Sequence, residues 1–170
     1  MNFYSYNVFP MGNGWIGLLG SRKGLRRLSF QPTPGEALEN LEPELADAIE
    51  DPAAFPDVRS CLERYFDGDV QALDSIDLDL TDAPDFYRAA WTACREIPPG
   101  ETRSYTWLAE AAGNPRAARA AGQAMAKNRY ALIIPCHRVI ASNGDLRGYG
   151  AGGLGVKARL LQMEQAGKAR

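Results

Sequence analysis

The chemistry open to this chain is concentrated in Ile133-Ile134-Pro135-Cys136-His137-Arg138-Val139-Ile140, which sets a thiol beside the only histidine of 170 residues. Imidazole is the side chain best suited to take a thiol proton near neutral pH, and the thiolate is the reactive form of cysteine. A free thiol of pKa about 8.5 is only a few per cent ionised at pH 7, so a nucleophilic Cys136 needs such help. Neighbouring side chains in an extended segment point to opposite faces. Direct pairing of Cys136 with His137 therefore requires the chain to turn at Pro135, or a water between the two groups. The competing reading is a structural thiol in a buried strand, because free cysteine is among the most buried residue types.

The other two cysteines read as core. Cys61 falls on the apolar face made by Val58, Leu62, Tyr65 and Phe66, and Cys94 shares a face with Phe86, Ala90 and Ile97. Three scattered cysteines argue against a disulfide framework and for a reducing, intracellular compartment. With one histidine and no paired-cysteine spacing, neither a metal nor a cofactor is expected. An apolar content of 45% with 24% charged residues suits a globular chain of one domain or two small ones. No run approaches the roughly 18 apolar residues of a membrane span, and Met1-Asn2-Phe3-Tyr4-Ser5 lacks the basic start of a signal peptide. No membrane partner is expected.

The elements that must position Cys136 divide into two sets. Short strands at 3–9, 15–19 and 25–30, separated by Gly-rich turns, predict a small antiparallel sheet. An acidic helix is predicted at 36–50, a helix carrying Cys61 follows, and the acidic stretch 67–85 reads as a connector. Beyond it the pattern is helical: 86–97, closed by Pro98-Pro99-Gly100, then 104–112 with Thr102 or Ser104 as cap and Gly113 at its end. Asn114-Pro115 restarts a helix over 115–127, so the pair forms a helix-turn-helix candidate. In this alanine-rich helix Arg116, Arg119, Gln123 and Lys127 recur at spacings of 3, 4 and 4, giving one polar stripe. Small residues let a backbone approach a DNA groove while long side chains reach phosphates or base edges.

Charge follows the same division. Residues 1–85 carry six basic against 16 acidic residues, a balance of -10, and residues 86–170 carry 13 against five, a balance of +8. The boundary is drawn near residue 80, with an N-terminal α/β domain at 1–80 and a C-terminal domain at 81–170 suited to a polyanion.

Residues 86–164 closely resemble the O6-alkylguanine-DNA alkyltransferases. The resemblance runs through Ile97-Pro98-Pro99-Gly100-Glu101-Thr102, Ser104-Tyr105, Ala118-Arg119-Ala120, Asn128, Ile134-Pro135-Cys136-His137-Arg138-Val139, Gly152-Gly153-Leu154, Lys157, Leu160-Leu161 and Glu164. It implies a ribonuclease-H-like α/β N-terminal domain and a mainly α, winged helix-turn-helix-like C-terminal domain. It also implies a monomer acting without cofactor on double-stranded DNA that carries O6-alkylguanine. A lesion inside a duplex must be flipped out at a cost of roughly a few kcal/mol. By resemblance, Arg119 fills the vacated stack, Tyr105 presses the adjacent phosphate, and Arg116 and Gln123 contact DNA. Met125, Val139, Tyr149, Gly150 and Ala151 line the base pocket, and the carbonyls of Cys136 and Val139 accept from the guanine amine. Cys136 attacks the alkyl carbon, activated by a Glu164–His137–water relay, with Asn128 stitching the turn. Such a protein reacts once.

The chain departs from the family at Asn128-Arg129, where the usual pattern is Asn-Pro, and in a loop 149–153 one residue longer than in many members. Two other readings compete. An alkyltransferase-like lesion binder lacks the nucleophile and commonly has Trp where Cys136 stands. A helix-turn-helix regulator would keep a structural Cys-His pair. A cysteine hydrolase is weaker still, for want of an oxyanion-hole signature.

Overall fold

Gly12 and Asn13 both adopt φ +63°, the left-handed pair that a tight two-residue hairpin loop requires. They join strand β1 (Tyr4–Met11) to β2 (Gly14–Ser21), which pairs in turn with β3 (Gly24–Gln31). A side chain at Gly12 would also run into the Phe66 ring. The computed structural model describes residues 3–146, 149 and 153–168. Gly150 and Ala151, assigned above to the pocket, lie outside the described residues, as does most of the loop 149–153.

The predicted acidic helix at 36–50 is a correction. The structure has a short helix α1 (Pro34–Glu39), a 3-10 turn Glu44–Asp47 and a strand β4 (Ala48–Glu50). Thr33 caps α1 by accepting from the Glu36 amide at 3.2 Å. Pro43 stops any continuation, since it lacks an N–H and disfavours helix in the residue before it. The freed segment 48–50 pairs parallel to β1, completing the order β3-β2-β1-β4. The central strand β2 is buried from Ile16 to Gly20, and helix α2 (Pro56–Phe66) turns Cys61, Leu62 and Tyr65 inward.

The chain divides into two units, Met1–Leu80 with Arg129–Ile133, and Thr81–Asn128 with Ile134–Arg170. Residues 129–133, placed in the second half by a boundary near 80, therefore belong to the first unit. There the Leu28 amide donates to the Arg129 carbonyl at 2.9 Å, the Ala131 amide donates to the Leu28 carbonyl at 3.1 Å, and the Tyr130 hydroxyl donates to the Asp79 carbonyl at 2.6 Å.

The second unit is mainly helical, as the family resemblance implies. Helix α3 (Asp85–Arg95) buries Ala90, Trp91, Ala93 and Cys94, with Ile97 buried just beyond its end. A two-residue strand β5 (Arg103–Ser104) leads into α4 (Tyr105–Ala111), capped by the Ser104 hydroxyl, which accepts from the Trp107 amide at 3.0 Å. Gly113, at φ +98°, closes α4 while the Asn114 amide returns to the Ala109 carbonyl. Helix α5 (Ala118–Ala126) starts three residues later than predicted. The Asn114 side chain instead accepts from the Arg116 amide, and the Ala117 amide from the next turn reaches the Asn114 carbonyl, so Pro115 and Arg116 form a separate turn. The remaining elements are the 3-10 turn Cys136–Arg138, β6 (Val139–Ile140), which pairs parallel to β5, and α6 (Leu154–Lys168). Among the described residues no helix is long and apolar enough to cross a membrane.

One contact seats α5 on α3. The Trp91 indole donates to the Ala124 carbonyl at 2.8 Å, satisfying one of the acceptors that the last turn of α5 leaves open. Trp91→Phe keeps the ring and strands that buried carbonyl, so unfolding stability should fall by about 1–3 kcal/mol. A urea midpoint equal to that of the parent would show that the bond contributes nothing net.

Candidate active site

Pro135 sits at φ -80° and ψ 65°, the geometry of an inverse γ-turn, and the Cys136 amide donates back to the Ile134 carbonyl at 2.8 Å. The chain does turn at Pro135. The following 3-10 turn, closed by the Arg138 amide on the Pro135 carbonyl at 2.8 Å, sends the side chains of Cys136 and His137 to different neighbours. Cys136 is the only one of the three cysteines that is not buried. The Asn128 side-chain amide donates to its sulfur at 3.2 Å and to the Ile134 carbonyl at 2.8 Å, holding thiol and turn together.

His137 is fully buried, and its Nε2 lies 2.7 Å from Glu164 Oε2. The same carboxylate takes a bidentate pair from Arg138, with Nε to Oε1 and Nη2 to Oε2 both at 2.9 Å. The third arm of Arg138, Nη1, donates to the Ile97 carbonyl at 2.6 Å. Glu164 reaches this point because Lys157, Leu160 and Glu164, spaced by 3 and 4, form the buried face of α6. Burial alone would raise the Glu164 carboxyl. The hydrogen bond from His137 and the hydrogen bonds and charge of Arg138 outweigh it and hold the group below the usual carboxylate range.

Burial lowers the pKa of His137, and Arg138 already balances the Glu164 charge that would otherwise hold a second proton on the ring. The ring is therefore neutral, with Nε2–H donating to Glu164. Nδ1, which has no hydrogen-bond partner among the described residues, is the basic nitrogen. Cys136 and His137 share no direct hydrogen bond, so a proton passing between them needs a bridge. Burial pushes the Cys136 thiol up, while the Asn128 hydrogen bond and the Lys157 charge act against it.

The remaining predicted residues divide by exposure. Arg119 and Gln123 lie on the outward face of α5, and Met125 is buried on its inward face. Arg116 is exposed but sits in the turn before α5, which corrects its place on the helical stripe. Tyr105 is half-buried at the start of α4, its ring 3.9 Å from where a Cβ on Gly122 would stand. Val139 is buried, and the Tyr149 ring meets His137 edge to face at 6.2 Å. Sequence reasoning assigned no role to Arg138, Lys157 or Trp91. The available signal for Lys157 and Glu164 was their heptad spacing, in register with Leu160.

The family profile described as "6-O-methylguanine DNA methyltransferase, DNA binding domain" matches residues 85–166, a span that begins at α3 and runs past Glu164. The methylated-DNA–protein-cysteine methyltransferase of Methanosarcina barkeri is 43% identical over 161 residues, covering 94% of this chain and 96% of that one. The chain belongs to this methyltransferase family. The crystal structure of Mycobacterium tuberculosis O6-methylguanine methyltransferase matches with a TM-score of 0.80 and 36% identity, over 96% of this chain and 94% of that one. The structure of M. tuberculosis OGT in complex with DNA matches with a TM-score of 0.79 and 34% identity, at the same coverage. Within the methyltransferase family assignment, Cys136, His137, Asn128 and Glu164 all fall inside the matched span.

Because the Glu164 carboxyl is held low in the folded state, the stability it contributes is complete above the unfolded carboxyl pKa of about 4.3. It is lost as pH falls through the lower folded value. Glu164→Gln leaves Arg138 buried without its partner, so stability at pH 7 should fall by about 3–5 kcal/mol. Below pH of about 4.3 the variant should lose less further stability than the parent. Unfolding curves from pH 7 to pH 3 measure both effects, and parallel curves of equal height would remove Glu164 from the turn's support.

Proposed function

We propose that this protein repairs O6-alkylguanine in double-stranded DNA by direct reversal, transferring the alkyl group irreversibly to its own Cys136. One observation carries the reading. Cys136 is the cysteine with solvent access, gripped by Asn128 on a turn whose next two side chains are bound to Glu164. Membership of the methyltransferase family and similarity to the DNA-bound M. tuberculosis protein support DNA as the partner.

In this mechanism the proton of Cys136 passes through a water to His137 Nδ1, and Glu164 stabilises the resulting imidazolium through Nε2. The thiolate attacks the alkyl carbon in line. The S–C bond forms as the C–O6 bond breaks, the electron pair leaves on O6, and guanine recovers at N1, through water, the proton that His137 took from Cys136. A thioether has no hydrolytic exit, so each molecule turns over once.

Arg119 fills the gap left by the flipped nucleotide, Tyr105 presses on the neighbouring phosphate, and Arg116 and Gln123 contact the duplex. Met125, Val139 and Tyr149 border the base, whose amine donates to the Cys136 and Val139 carbonyls. The protein acts as a monomer without a cofactor, in a reducing intracellular compartment that keeps its three free thiols reduced. The thiol at position 136 weighs against a lesion binder that lacks the nucleophile.

Incubation with duplex DNA carrying O6-methylguanine should add one methyl group to Cys136 by mass spectrometry, and Cys136→Ser should abolish transfer while still binding DNA. Removal of methyl groups by the Ser variant would sink the assignment. For Arg119→Ala, the rate on duplex substrate should fall much more than the rate on free O6-benzylguanine, because only the duplex has a stack to open. Equal losses on the two substrates would count against the intercalating role.

A further inference from the structure

Residues 129–133 belong to the first unit, while Asn128 before them and Ile134 after them belong to the second. This five-residue loop is clasped at its base. The Asn128 side-chain amide donates to the Ile134 carbonyl at 2.8 Å and, from the same nitrogen, to the Cys136 sulfur at 3.2 Å. A change in the path of the loop alters the spacing of Asn128 and Ile134, and so reaches the thiol through that amide.

The tip of the loop is held inside the first unit. Leu28 of β3 donates its amide to the Arg129 carbonyl at 2.9 Å and accepts from the Ala131 amide at 3.1 Å, which fixes Tyr130 against the strand edge. The Tyr130 side chain is fully buried, and its hydroxyl donates to the Asp79 carbonyl at 2.6 Å. Asp79 is bound to the same strand, its amide donating to the Leu25 carbonyl at 2.8 Å. The hydroxyl thus ties together the two segments that bridge to β3, at Leu25 and at Leu28. Phenylalanine would serve packing alone. A buried hydroxyl is tolerated only with a partner, so the bond to Asp79 sets how the ring, and the loop with it, is seated.

Leu132 shows how tightly the loop is constrained. Its φ is +71°, and the Ile133 amide donates back to the Ala131 carbonyl at 2.9 Å, a γ-turn of the rare and strained hand. A buried leucine keeps such a backbone only where its surroundings over-determine it. Arg129 follows Asn128, so no proline ring sets φ at the start of the loop. The anchor at the tip supplies that constraint instead.

We propose that Tyr130 is a positioning residue for alkyl transfer, its hydroxyl on the Asp79 carbonyl fixing the loop 129–133 so that Asn128 stays bonded to the Cys136 sulfur. This rests on the reading of Cys136 as the alkyl acceptor. Burial favours the thiol, and the Asn128 hydrogen bond is the foremost influence acting against it. A loosened tip weakens that bond, and Cys136 then ionises at higher pH. The other groups that act on the thiol, Cys94 of α3, Tyr149 and Lys157 of α6, lie outside the loop.

The test needs no DNA. The pH profile of Cys136 modification by iodoacetamide is measured on the whole protein by mass spectrometry, with Cys61 and Cys94 protected by burial. Tyr130→Phe keeps the ring and removes the anchor. It should raise the apparent Cys136 pKa by about half a unit and slow modification about threefold at pH 7. Ser29→Ala is the control, since it also removes one buried hydrogen bond of the first unit, from the Ser29 hydroxyl to the Ala37 carbonyl. Its profile should match that of the parent. An unshifted profile in Tyr130→Phe overturns the proposal, as does an equal shift in Ser29→Ala. Should the Phe variant not fold, hydrogen exchange of the parent decides. The Asn128 side-chain amide should open at least as readily as the Ala131 amide. Exchange at Ala131 while Asn128 stays protected would show the tip moving without the base, and overturns the proposal. Failure of methylated duplex DNA to alkylate Cys136 would instead remove the repair reading and leave these profiles standing.

Discussion

The second unit depends on one buried carboxylate. Glu164 accepts from His137 and, through both oxygens, from Arg138, while Arg138 spends its remaining arm on the Ile97 carbonyl beyond α3. A carboxylate in such a place is tolerable only because its charge is matched and its lone pairs are filled. The same bonds fix the register of α6 against the turn, so the tautomer of His137 and the path of residues 136–138 are settled together. One carboxylate holds both an arginine salt bridge and a histidine hydrogen bond, and Arg138 balances the charge that would otherwise hold a second proton on the imidazole.

That arrangement explains why Cys136 sits on a turn. A strand through Pro135 would send Cys136 and His137 to opposite faces with nothing to relate them. The inverse γ-turn followed by a 3-10 turn gives each its own partner, Asn128 for the sulfur and Glu164 for the ring. Proline suits the first turn because its ring sets φ near the required value and its missing N–H is not needed there. Asn128 does its work without a following proline. The segment after it is secured instead by backbone hydrogen bonds of residues 129 and 131 to Leu28 within the first unit.

Much of this was legible in the sequence wherever local chemistry decides the outcome. The hairpin strands, the Ser104 cap, the glycine closing α4, the core positions of Cys61 and Cys94, and the Cys136-His137 pair all follow from spacing and side-chain type. The failures have physical causes. Acidic composition suggested a long helix where Pro43 ends it, and Asn114 caps a turn rather than the start of α5. The return of residues 129–133 to β3 is a long-range pairing with no local signature. The resemblance includes Arg138 and Lys157 without a task for either, because the partners of these buried charges come from distant parts of the chain.

The short helix α5 carries the last constraint. Its inward positions, Ala121, Ala124 and Met125, are buried, while Arg119 and Gln123 one turn apart face out. Alanine on the inner side brings the backbone close to α3, and Trp91 holds its final turn by a single carbonyl. In the proposed reaction the outward residues meet DNA and Met125 borders the flipped base. A helix of nine residues has no internal joint at which those two faces could move separately. Contact with the duplex and the wall of the pocket are therefore set by the same rigid element, and its seating on α3 governs both.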